Sequence, residues 1–278
     1  MKAEQSQARA RLLARYRDQA FADRFSSVAW NDALDVMLSH RSVRSYRKEP
    51  LAPGYLELIV AAAQSAPTTS NLQAWSVIAV EDTDRKARLA TFAAGQRHIF
   101  EAPLLLIFVA DLARLRAISA EKGLPGAGLN YMEAFIFAVA DAAFAAQNAV
   151  VAIESLGLGC CYIGAMRNKP QAVADELSLP DETMVVFGMT VGYPDPSVET
   201  DVKPRLPQSV VLHREKYGQV QENLIAGYDE IMRGFKSDQN MRMVDWTEQA
   251  ATRVKDEAAL TGRHVLKDFL QKRGLTVR

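Results

Sequence analysis

A basic cluster is the first stretch of the chain whose side chains could do chemistry. Arg41 and Arg44 lie three residues apart, with His40 before them and Ser42 between them. A planar guanidinium group can make two parallel hydrogen bonds to a phosphate or to the carbonyl edge of a heterocycle, and Ser42 adds a hydroxyl group. The cluster therefore indicates a site for a phosphate or a heterocycle, although a run of charges is also typical of a solvated surface.

A polar loop follows the next predicted helix, at the point where Pro67 stops that helix. Its side chains are hydroxyls followed by amides, namely Thr68, Thr69, Ser70, Asn71 and Gln73. Such groups can hydrogen-bond the polar edge of a ligand. A serine- and threonine-rich connector between a helix and a strand is the alternative interpretation.

Three later stretches decide between these interpretations. The basic cluster lies in the run RSVRSY, and the polar loop lies in the run SAPTTSNLQAW. After them the chain has a GQRH turn before the apolar run PLLLIFVAD, and then the long run DAAFAAQNAVVAIESLGLGCCYIGAMRN. The last stretch is VKPRLP, which comes after MVVFGMTVGYP. In this order they closely resemble the nitroreductase family of FMN-dependent oxidoreductases. Within it they are most similar to the oxygen-insensitive NADPH nitroreductases and NADPH flavin reductases. The resemblance covers roughly residues 40–217.

The resemblance implies a set of FMN-binding residues. They are His40, Arg41, Ser42, Arg44, Thr68, Thr69, Ser70, Asn71, Gln73, Gln96, Tyr162, Ile163, Gly164, Ala165, Lys203 and Arg205. By resemblance, Lys203 and Arg205 would clamp the phosphate, which also suits their charge. Arg44 at the pyrimidine edge and the backbone N–H of Gly164 near N5 would tune the flavin, since a cation there stabilises the reduced, anionic form.

The resemblance also implies the reaction. Hydride would pass from NAD(P)H, with NADPH favoured, through flavin N5 to a nitroaromatic, quinone or flavin by a ping-pong mechanism. Arg242, with Arg233 and Lys236 as weaker candidates, would hold the 2′-phosphate of NADPH, although an exposed linker is the alternative there. A homodimer with FMN sites at its interface is expected. The reaction takes place at the flavin, so no side chain is expected to act as a nucleophile.

The chain departs from the family pattern at three places. Ala74 stands where many members have proline before the tryptophan, and Ala165 stands where the most similar branch has a second glycine. Both residues are small, so we expect flavin binding to be retained with some change in loop position. The segment before Asp32 is longer than expected for that branch, which leaves its role open.

Other chemistries find little support in the sequence. The histidines are scattered without the spacing of metal ligands, and no glycine-rich dinucleotide fingerprint is present, so we expect no metal site and only transient NAD(P)H binding. Cys160 and Cys161 are adjacent within an apolar run and are expected to be reduced, packed thiols. For Glu133 and Asp141, both on one predicted helix, we favour a buried or interfacial ion pair.

The element expected to organise these residues is a helix from Tyr131 to Leu156. At about 1.5 Å per residue it would be roughly 40 Å long, and its polar residues occupy an arc of about 140°. Charge interrupts it too often for a membrane span, so it is expected to be the central helix of a soluble core, buried within one chain or packed on a partner. A short buried strand is predicted at Cys160–Ile163.

The predicted fold is an α/β (α+β) sandwich with a mostly antiparallel sheet wrapped by helices. We predict an N-terminal helical extension at 1–30, an FMN-binding core at 31–217 and a helical tail at 218–278. Helices are predicted over 1–25, over 33–40 with a cap from Asn31 or Asp32, and over 54–66 with Pro53 in the first turn. In the tail they are predicted over 214–232 and 256–273, separated by a basic connector at 233–243.

Composition limits the possible functions. Lys plus Arg and Asp plus Glu are both 33, so no global field recruits nucleic acid or an anionic membrane. The sequence shows no signal peptide, and a cytoplasmic protein is expected.

Three alternatives stay open. One is a flavin reductase that supplies a partner monooxygenase, and another is a family member with a specialised use of bound FMN. The third is a non-enzymatic binding module that uses the basic N-terminal helix.

Overall fold

The computed structural model describes residues 2–25, 28–219 and 221–275. Met1, residues 26–27, residue 220 and residues 276–278, which fall within the predicted extension and tail, lie outside the described residues. The chain divides into two compact units. The first unit is Met1–Arg41 with Ser197–Ala259, and the second unit is Ser42–Pro196 with Leu260–Arg278. The predicted division at residues 30 and 217 stays a prediction.

The elements alternate between helices and strands along much of the chain. The α-helices are α1 (Lys2–Tyr16), α2 (Gln19–Asp23), α3 (Asp32–Ser39), α4 (Tyr55–Gln64), α5 (Thr83–Phe92), α6 (Arg97–Glu101), α7 (Ala113–Glu121), α8 (Met132–Ser155), α9 (Pro170–Glu176), α10 (Gln208–Val211), α11 (Glu222–Asp238), α12 (Trp246–Arg253) and α13 (Leu266–Lys272). The strands are β1 (Trp75–Val80), β2 (Leu104–Asp111), β3 (Gly159–Ile163) and β4 (Thr183–Gly192). Short 3₁₀ turns lie at Thr69–Asn71, Ala127–Asn130, Gly164–Arg167, Ala258–Leu260 and Arg263–Val265.

The second unit is built on one sheet. Among the described residues its strand order is β1-β2-β4-β3, and every neighbouring pair is antiparallel. Strand β2 is buried on both faces: Leu104 and Leu106 pack in the same cluster as α8, whereas Leu105 and Ile107 pack with residues of α5 and α9. The predicted sandwich of an antiparallel sheet between helices is confirmed.

The central helix forms as predicted and within a residue of the predicted bounds. The buried face of α8 is rich in alanine, including Ala138, Ala142 and Ala149, which are fully buried. Small side chains on this face allow α4 to pack directly against it, and Asn148 donates a hydrogen bond from Nδ2 to the carbonyl oxygen of Ala62 in α4 at 3.2 Å. The helix thus contributes to the core of the second unit.

Helix α8 is also long and apolar enough, by length and composition alone, to cross a membrane. Nearly half of its most apolar window is buried within the structure, and the buried residues include the carboxylate of Asp141. A core helix passes the same test, so its length is weak support for a membrane span.

Two predicted helix boundaries are wrong. Arg17 adopts a left-handed conformation with φ of 51°, which separates α1 from α2 and breaks the continuous helix predicted over 1–25. Pro53 lies outside the first turn of α4, because Gly54 with φ of 84° is the N-cap residue. For α3 the predicted cap is confirmed, since the side chain of Asn31 accepts a hydrogen bond from the N–H of Leu34 at 3.0 Å.

The tail of the chain differs most from the prediction. Helix α11 begins at Glu222, eight residues after the predicted start, and continues to Asp238, so most of the predicted connector is helical. The apolar stripe of Tyr228, Met232 and Phe235 explains this, because spacings of four and three residues place all three side chains in one buried cluster. The second predicted helix of the tail is divided at Gly262, whose φ is 91°, and only Leu266–Lys272 is α-helical.

Candidate functional site

The polar loop at 68–74 has an unusual backbone. Ser70, Asn71 and Gln73 have φ values of 49°, 57° and 51°, a left-handed conformation that non-glycine residues rarely adopt. The three residues are exposed. Residues in this region store strain, and such strain is concentrated at ligand-binding and active sites. The loop that the sequence indicated as a ligand contact therefore has a conformation that surrounding structure must enforce.

Asp141 on α8 is one of the groups that enforce it. Its carboxylate is fully buried, and its two oxygens accept hydrogen bonds from the backbone N–H groups of Thr69 at 2.8 Å and Ala74 at 3.0 Å. The buried form of the ion pair expected for Glu133 and Asp141 is not found within the described residues, and the interfacial form stays a prediction. Glu133 is exposed, and neither carboxylate makes an ion pair within the described residues. The acid on the central helix serves the loop instead.

Arg114 on α7 holds the other end of the same loop. Its Nη1 donates to the carbonyl oxygen of Gln73 at 3.0 Å, and its Nη2 donates to Ser76 Oγ at 2.7 Å and Asp111 Oδ2 at 3.2 Å. The loop is thus held from both sides by charged side chains that bind backbone or strand groups. Ala74, one of the departures from the family pattern, supplies an N–H that a proline in its place could not.

The end of β3 carries four further predicted residues. Ser42 forms a parallel bridge with Cys160, and the Val43 N–H donates to the Cys160 carbonyl oxygen at 2.9 Å, so the basic cluster is tied to β3. Tyr162 is 37% exposed and its ring meets that of Phe187 edge-on, with 4.9 Å between ring centres. The four residues Tyr162, Ile163, Gly164 and Ala165 follow one another at the strand end, where Ala165 is buried without left-handed strain.

Among the predicted site residues of the second unit, Arg44 is a cation whose side chain is available to bind a ligand. Its side chain is exposed and has no hydrogen bond or carboxylate partner within the described residues. The positive charge of Arg44 also acts on the buried side chain of His98. Burial lowers the pKa of His98, and the charge of Arg44 lowers it further. The imidazole is therefore neutral at neutral pH. Gln96 caps α6 and uses its amide Nε2 to donate to the Ala93 carbonyl oxygen at 3.0 Å.

The first unit holds the remaining predicted residues. Arg41 Nε donates to Thr200 Oγ1 at 3.1 Å. Lys203 and Arg205 have exposed side chains, and Arg205 Nη1 donates to the carbonyl oxygen of Lys203 at 3.0 Å. The carbonyl oxygens of His40 and Lys203 both accept hydrogen bonds from the guanidinium group of Arg15, each at 2.8 Å. Two predicted phosphate-binding segments therefore share one anchor, which the sequence did not indicate.

A cavity of about 560 Å³ opens in the same unit. Its lining combines cations with aromatic and apolar side chains: Tyr16, Lys203, Arg205, Leu206, Val211, Tyr228, Met232, Lys236, Met241, Trp246 and Gln249. The lining contains no carboxylate, so the cavity favours anions over cations.

The candidates for the NADPH phosphate differ in availability. Arg233 forms an ion pair with Asp245 at 2.7 Å, and buried Lys236 donates to the Val244 carbonyl oxygen at 2.5 Å. Arg242 is exposed and has no hydrogen-bond or carboxylate partner within the described parts of the chain. Of the three, Arg242 has the side chain that is free to bind an anion.

Cys160 and Cys161 are buried, as the sequence predicted, and neither is part of a disulfide within the described residues. Burial raises the pKa of the Cys160 thiol, and the same cause raises the pKa of the Tyr162 phenol. Both groups are therefore uncharged near neutral pH and unsuited to nucleophilic chemistry. In the described residues no group of three or more His, Cys, Asp or Glu side chains could hold a metal ion.

The comparisons with known proteins agree with one another. The model of the nitroreductase family matches residues 37–193, and the model of the nitroreductase family C-terminal domain matches residues 203–278. A Vibrio harveyi NADPH-flavin oxidoreductase is 32% identical over 250 residues, which are 89% of this chain and 100% of that protein. A Salmonella typhimurium oxygen-insensitive NADPH nitroreductase is 34% identical over 248 residues, 88% of this chain and 98% of that protein.

Among solved structures, B. megaterium NfrA2 superposes with a TM-score of 0.84 at 33% identity and covers 89% of this chain and 99% of its own. The matched region 37–193 contains the strained loop, Asp141 and the end of β3. Residues before 37, including Arg15, lie outside both family models.

Proposed function

The chain belongs to the nitroreductase family, and on this basis we propose that it is an FMN-dependent oxidoreductase that accepts hydride from NADPH or NADH. The proposed acceptors are small planar molecules, namely nitroaromatics, quinones and free flavin. When bound, FMN supplies the chemistry that takes up hydride and passes two electrons on. The residues of the chain bind and orient the planar reactants, and the reaction needs no protein nucleophile.

The observation that carries this proposal is the backbone of the loop at 68–74. The loop contains three left-handed residues, Ser70, Asn71 and Gln73. Hydrogen bonds from its backbone to the buried carboxylate of Asp141, and from Arg114 to its backbone, hold it in this conformation. In this backbone conformation the hydroxyl group of Ser70 and the amide groups of Asn71 and Gln73 are exposed at the surface. These donors and acceptors suit the polar edge of a flavin, so the residues present fit FMN.

We assign the remaining FMN contacts unit by unit. In the second unit, Arg44 would face the pyrimidine edge as a free cation, and the backbone of Gly164 would approach the ring. An added Cβ at Gly164 would meet only the Arg167 guanidinium group, at 3.5 Å, so close approach is possible there. In the first unit, His40, Arg41, Lys203 and Arg205 would hold the phosphate and ribityl chain.

NADPH is the preferred donor in this proposal. The free side chain of Arg242 is available for the 2′-phosphate, whereas Arg233 and Lys236 already have partners. NADH lacks that phosphate, so the Arg242→Ala variant should lose preference for NADPH with little change in NADH turnover. Equal losses with both donors would argue against the assignment.

We propose that the protein works as a homodimer. Several large apolar side chains of α8 and α4 are exposed in the single chain, among them Met132, Ile136 and Phe144 at 44–54% and Leu58 at 52%. Exposed apolar residues on neighbouring helices of one unit mark an association surface. A second copy of the chain is the partner that the family suggests. We also propose a cytoplasmic location, where the buried thiols stay reduced.

A flavin reductase is the second candidate function. The Vibrio harveyi relative is named an NADPH-flavin oxidoreductase and covers nearly the whole chain. In this version free flavin is the physiological acceptor and the reduced product serves a partner monooxygenase. Turnover with free FMN that exceeds turnover with quinones and nitroaromatics at equal concentration would favour it.

The first test is the visible spectrum of the purified protein, followed by anaerobic titration with NADPH and NADH. A yellow protein whose visible flavin absorbance is bleached by stoichiometric nucleotide is the expected result. A colourless protein that takes up no added FMN would overturn the proposal.

The basic residues of the N-terminal segment bear on the non-enzymatic alternative. Arg9, Arg11 and Arg17 pair with carboxylates within the first unit, so these charges are not free for nucleic acid.

A further inference from the structure

Arg15 of α1 makes an unusual set of hydrogen bonds. Its side chain is 5% exposed, and the guanidinium group donates to three backbone carbonyl oxygens: Lys203 at 2.8 Å, His40 at 2.8 Å and Leu38 at 3.1 Å. The planar fork of arginine allows one side chain to bind several acceptors in fixed directions. Two segments 163 residues apart in sequence, at His40 and Lys203, are thereby joined by a single group.

The backbone of the same residue completes the connection. The N–H of Arg205 donates to the Arg15 carbonyl oxygen at 3.0 Å. Arg15 thus contacts both ends of the Lys203–Arg205 segment, one through its side chain and the other through its main chain. Every group in this arrangement belongs to the first unit.

The rest of α1 holds Arg15 in place. Arg11 makes a two-pronged hydrogen bond to Asp35 of α3, at 2.8 Å and 2.9 Å. Arg17 forms an ion pair with Asp238 of α11 at 2.9 Å. The chain is therefore attached to α3 through Arg11 and to α11 through Arg17, which follows the end of α1. The position of the Arg15 guanidinium group thus depends on more than its own hydrogen bonds.

The comparisons place this helix outside the family core. The two family models begin at residues 37 and 203, so the carbonyl groups that Arg15 binds lie within or beside the matched regions, whereas Arg15 itself does not. The residues proposed to hold the FMN phosphate are thus supported by a segment that the family models do not include.

We propose that Arg15 is a positioning residue for the phosphate of FMN, acting through the backbone of His40 and Lys203. The inference rests on the proposed function. Arg15 binds the main chain of the two segments, and those segments present His40, Arg41, Lys203 and Arg205 to the phosphate. Because a phosphate site needs its cations at fixed separation, loss of the common anchor weakens binding of the phosphate and leaves contacts to the flavin ring unchanged.

The test compares FMN with riboflavin, which has the same ring and no phosphate. Dissociation constants for both are measured by flavin fluorescence quenching on the full-length apoprotein. The Arg15→Met variant should bind FMN roughly 10- to 100-fold more weakly, the range typical of lost outer supporting contacts, while riboflavin affinity changes by less than about twofold. The Arg15→Lys variant keeps the charge without the fork, so its FMN affinity should fall between those of the wild type and Arg15→Met.

Arg9→Met is the matched control. Arg9 is on the same helix, and its Nε pairs with Asp23 of α2 at 2.6 Å, away from His40 and Lys203. This variant should keep the wild-type ratio of FMN to riboflavin affinity.

A ratio that stays at the wild-type value in both Arg15 variants would overturn the inference, as would equal losses of FMN and riboflavin, which indicate general unfolding. If Arg15→Met fails to fold, Arg15→Lys alone decides by the same ratio. Failure of the wild type itself to bind FMN would instead overturn the proposed function, and with it the inference.

Discussion

In the second unit a buried carboxylate accepts hydrogen bonds from two backbone N–H groups, whereas in the first unit a buried guanidinium group donates to three backbone carbonyls. Asp141 binds the N–H group of Thr69, at the start of a short 3₁₀ turn, and that of Ala74. Arg15 binds carbonyls that include the C-terminal end of α3. In each region the charge matches the exposed end of the peptide dipoles. In both regions a buried charged side chain therefore fixes the backbone of a segment that we propose to contact FMN.

The origin of the two anchors differs. Asp141 comes from the central helix, within the region that the family model matches, and Arg15 comes from a helix before that region begins. The first anchor lies within the matched family region and the second lies outside it. Loss of the first should therefore cost folding stability, while loss of the second should chiefly cost ligand affinity. Four changes test this contrast, in addition to the Arg15 variants.

The largest expected effect follows from Asp141→Asn. The amide retains one acceptor oxygen but presents N–H donors to the second backbone N–H, so we expect a loss of about 2–4 kcal/mol in the free energy of unfolding. Urea unfolding of the apoprotein measures it. Glu133→Gln makes the same chemical change at an exposed position of α8 and should cost less than about 1 kcal/mol. Equal effects of the two variants would contradict the anchoring role of Asp141.

Ala74→Pro should be the next most damaging. Proline removes the N–H that donates to Asp141 Oδ2, and it disfavours the left-handed conformation of the preceding Gln73. We expect a loss of about 1.5–3 kcal/mol in unfolding free energy. The Ala74→Gly variant keeps the N–H and should lose less. An unchanged free energy of unfolding in Ala74→Pro would contradict the stabilising role of the Ala74 N–H.

Arg11→Met examines how far the support of Arg15 extends. Its two bonds to Asp35 are partly exposed, so the cost in unfolding free energy should be about 1 kcal/mol or less. FMN affinity should fall less than in Arg15→Met, measured by the same fluorescence titration. An FMN loss as large as that of Arg15→Met would show that helix docking, not the Arg15 guanidinium group, sets the affinity.

The smallest effect is a pH dependence. The hydrogen bond from Arg11 lowers the pKa of Asp35 in the folded state. A lowered folded-state pKa stabilises the fold above the unfolded value, near 3.9, and this contribution fades as pH falls below about 4. The stability difference between wild type and Asp35→Asn should therefore be constant from pH 5 to 7 and shrink below pH 4. A difference that stays constant down to pH 3 would contradict it.

The sequence predicted well those features that depend on local patterns. The apolar residues of α8, the cap at Asn31 and the continuous apolar run of β2 are local signals, and each is found in the structure. The loop at 68–74 was predicted as a ligand contact from its polar side chains, but its left-handed residues were not, because no glycine marks them. Phe235 continued the stripe of α11 past basic residues that suggested a linker.

The two anchors could not have been found in this way. Asp141 is 67 residues from Ala74, and Arg15 is 188 residues from Lys203, so neither contact leaves a local pattern. One signal was available in retrospect. Asp141 is an acid with alanines on both sides in the sequence, within a mostly apolar helix, and a buried charge requires partners. Arg15 gave no such signal, because it lies among several other arginines of α1.

The position of Arg15 matters for anyone who shortens or tags this protein. A fragment cut at the family boundary near residue 37 would keep every residue proposed to touch FMN and would still lack the group that joins His40 to Lys203. We expect such a fragment to retain FMN less tightly than the intact chain. An affinity tag is therefore better placed at the C-terminus, and trimmed relatives grafted with this helix would offer a route to tuning how tightly a flavoenzyme retains its cofactor.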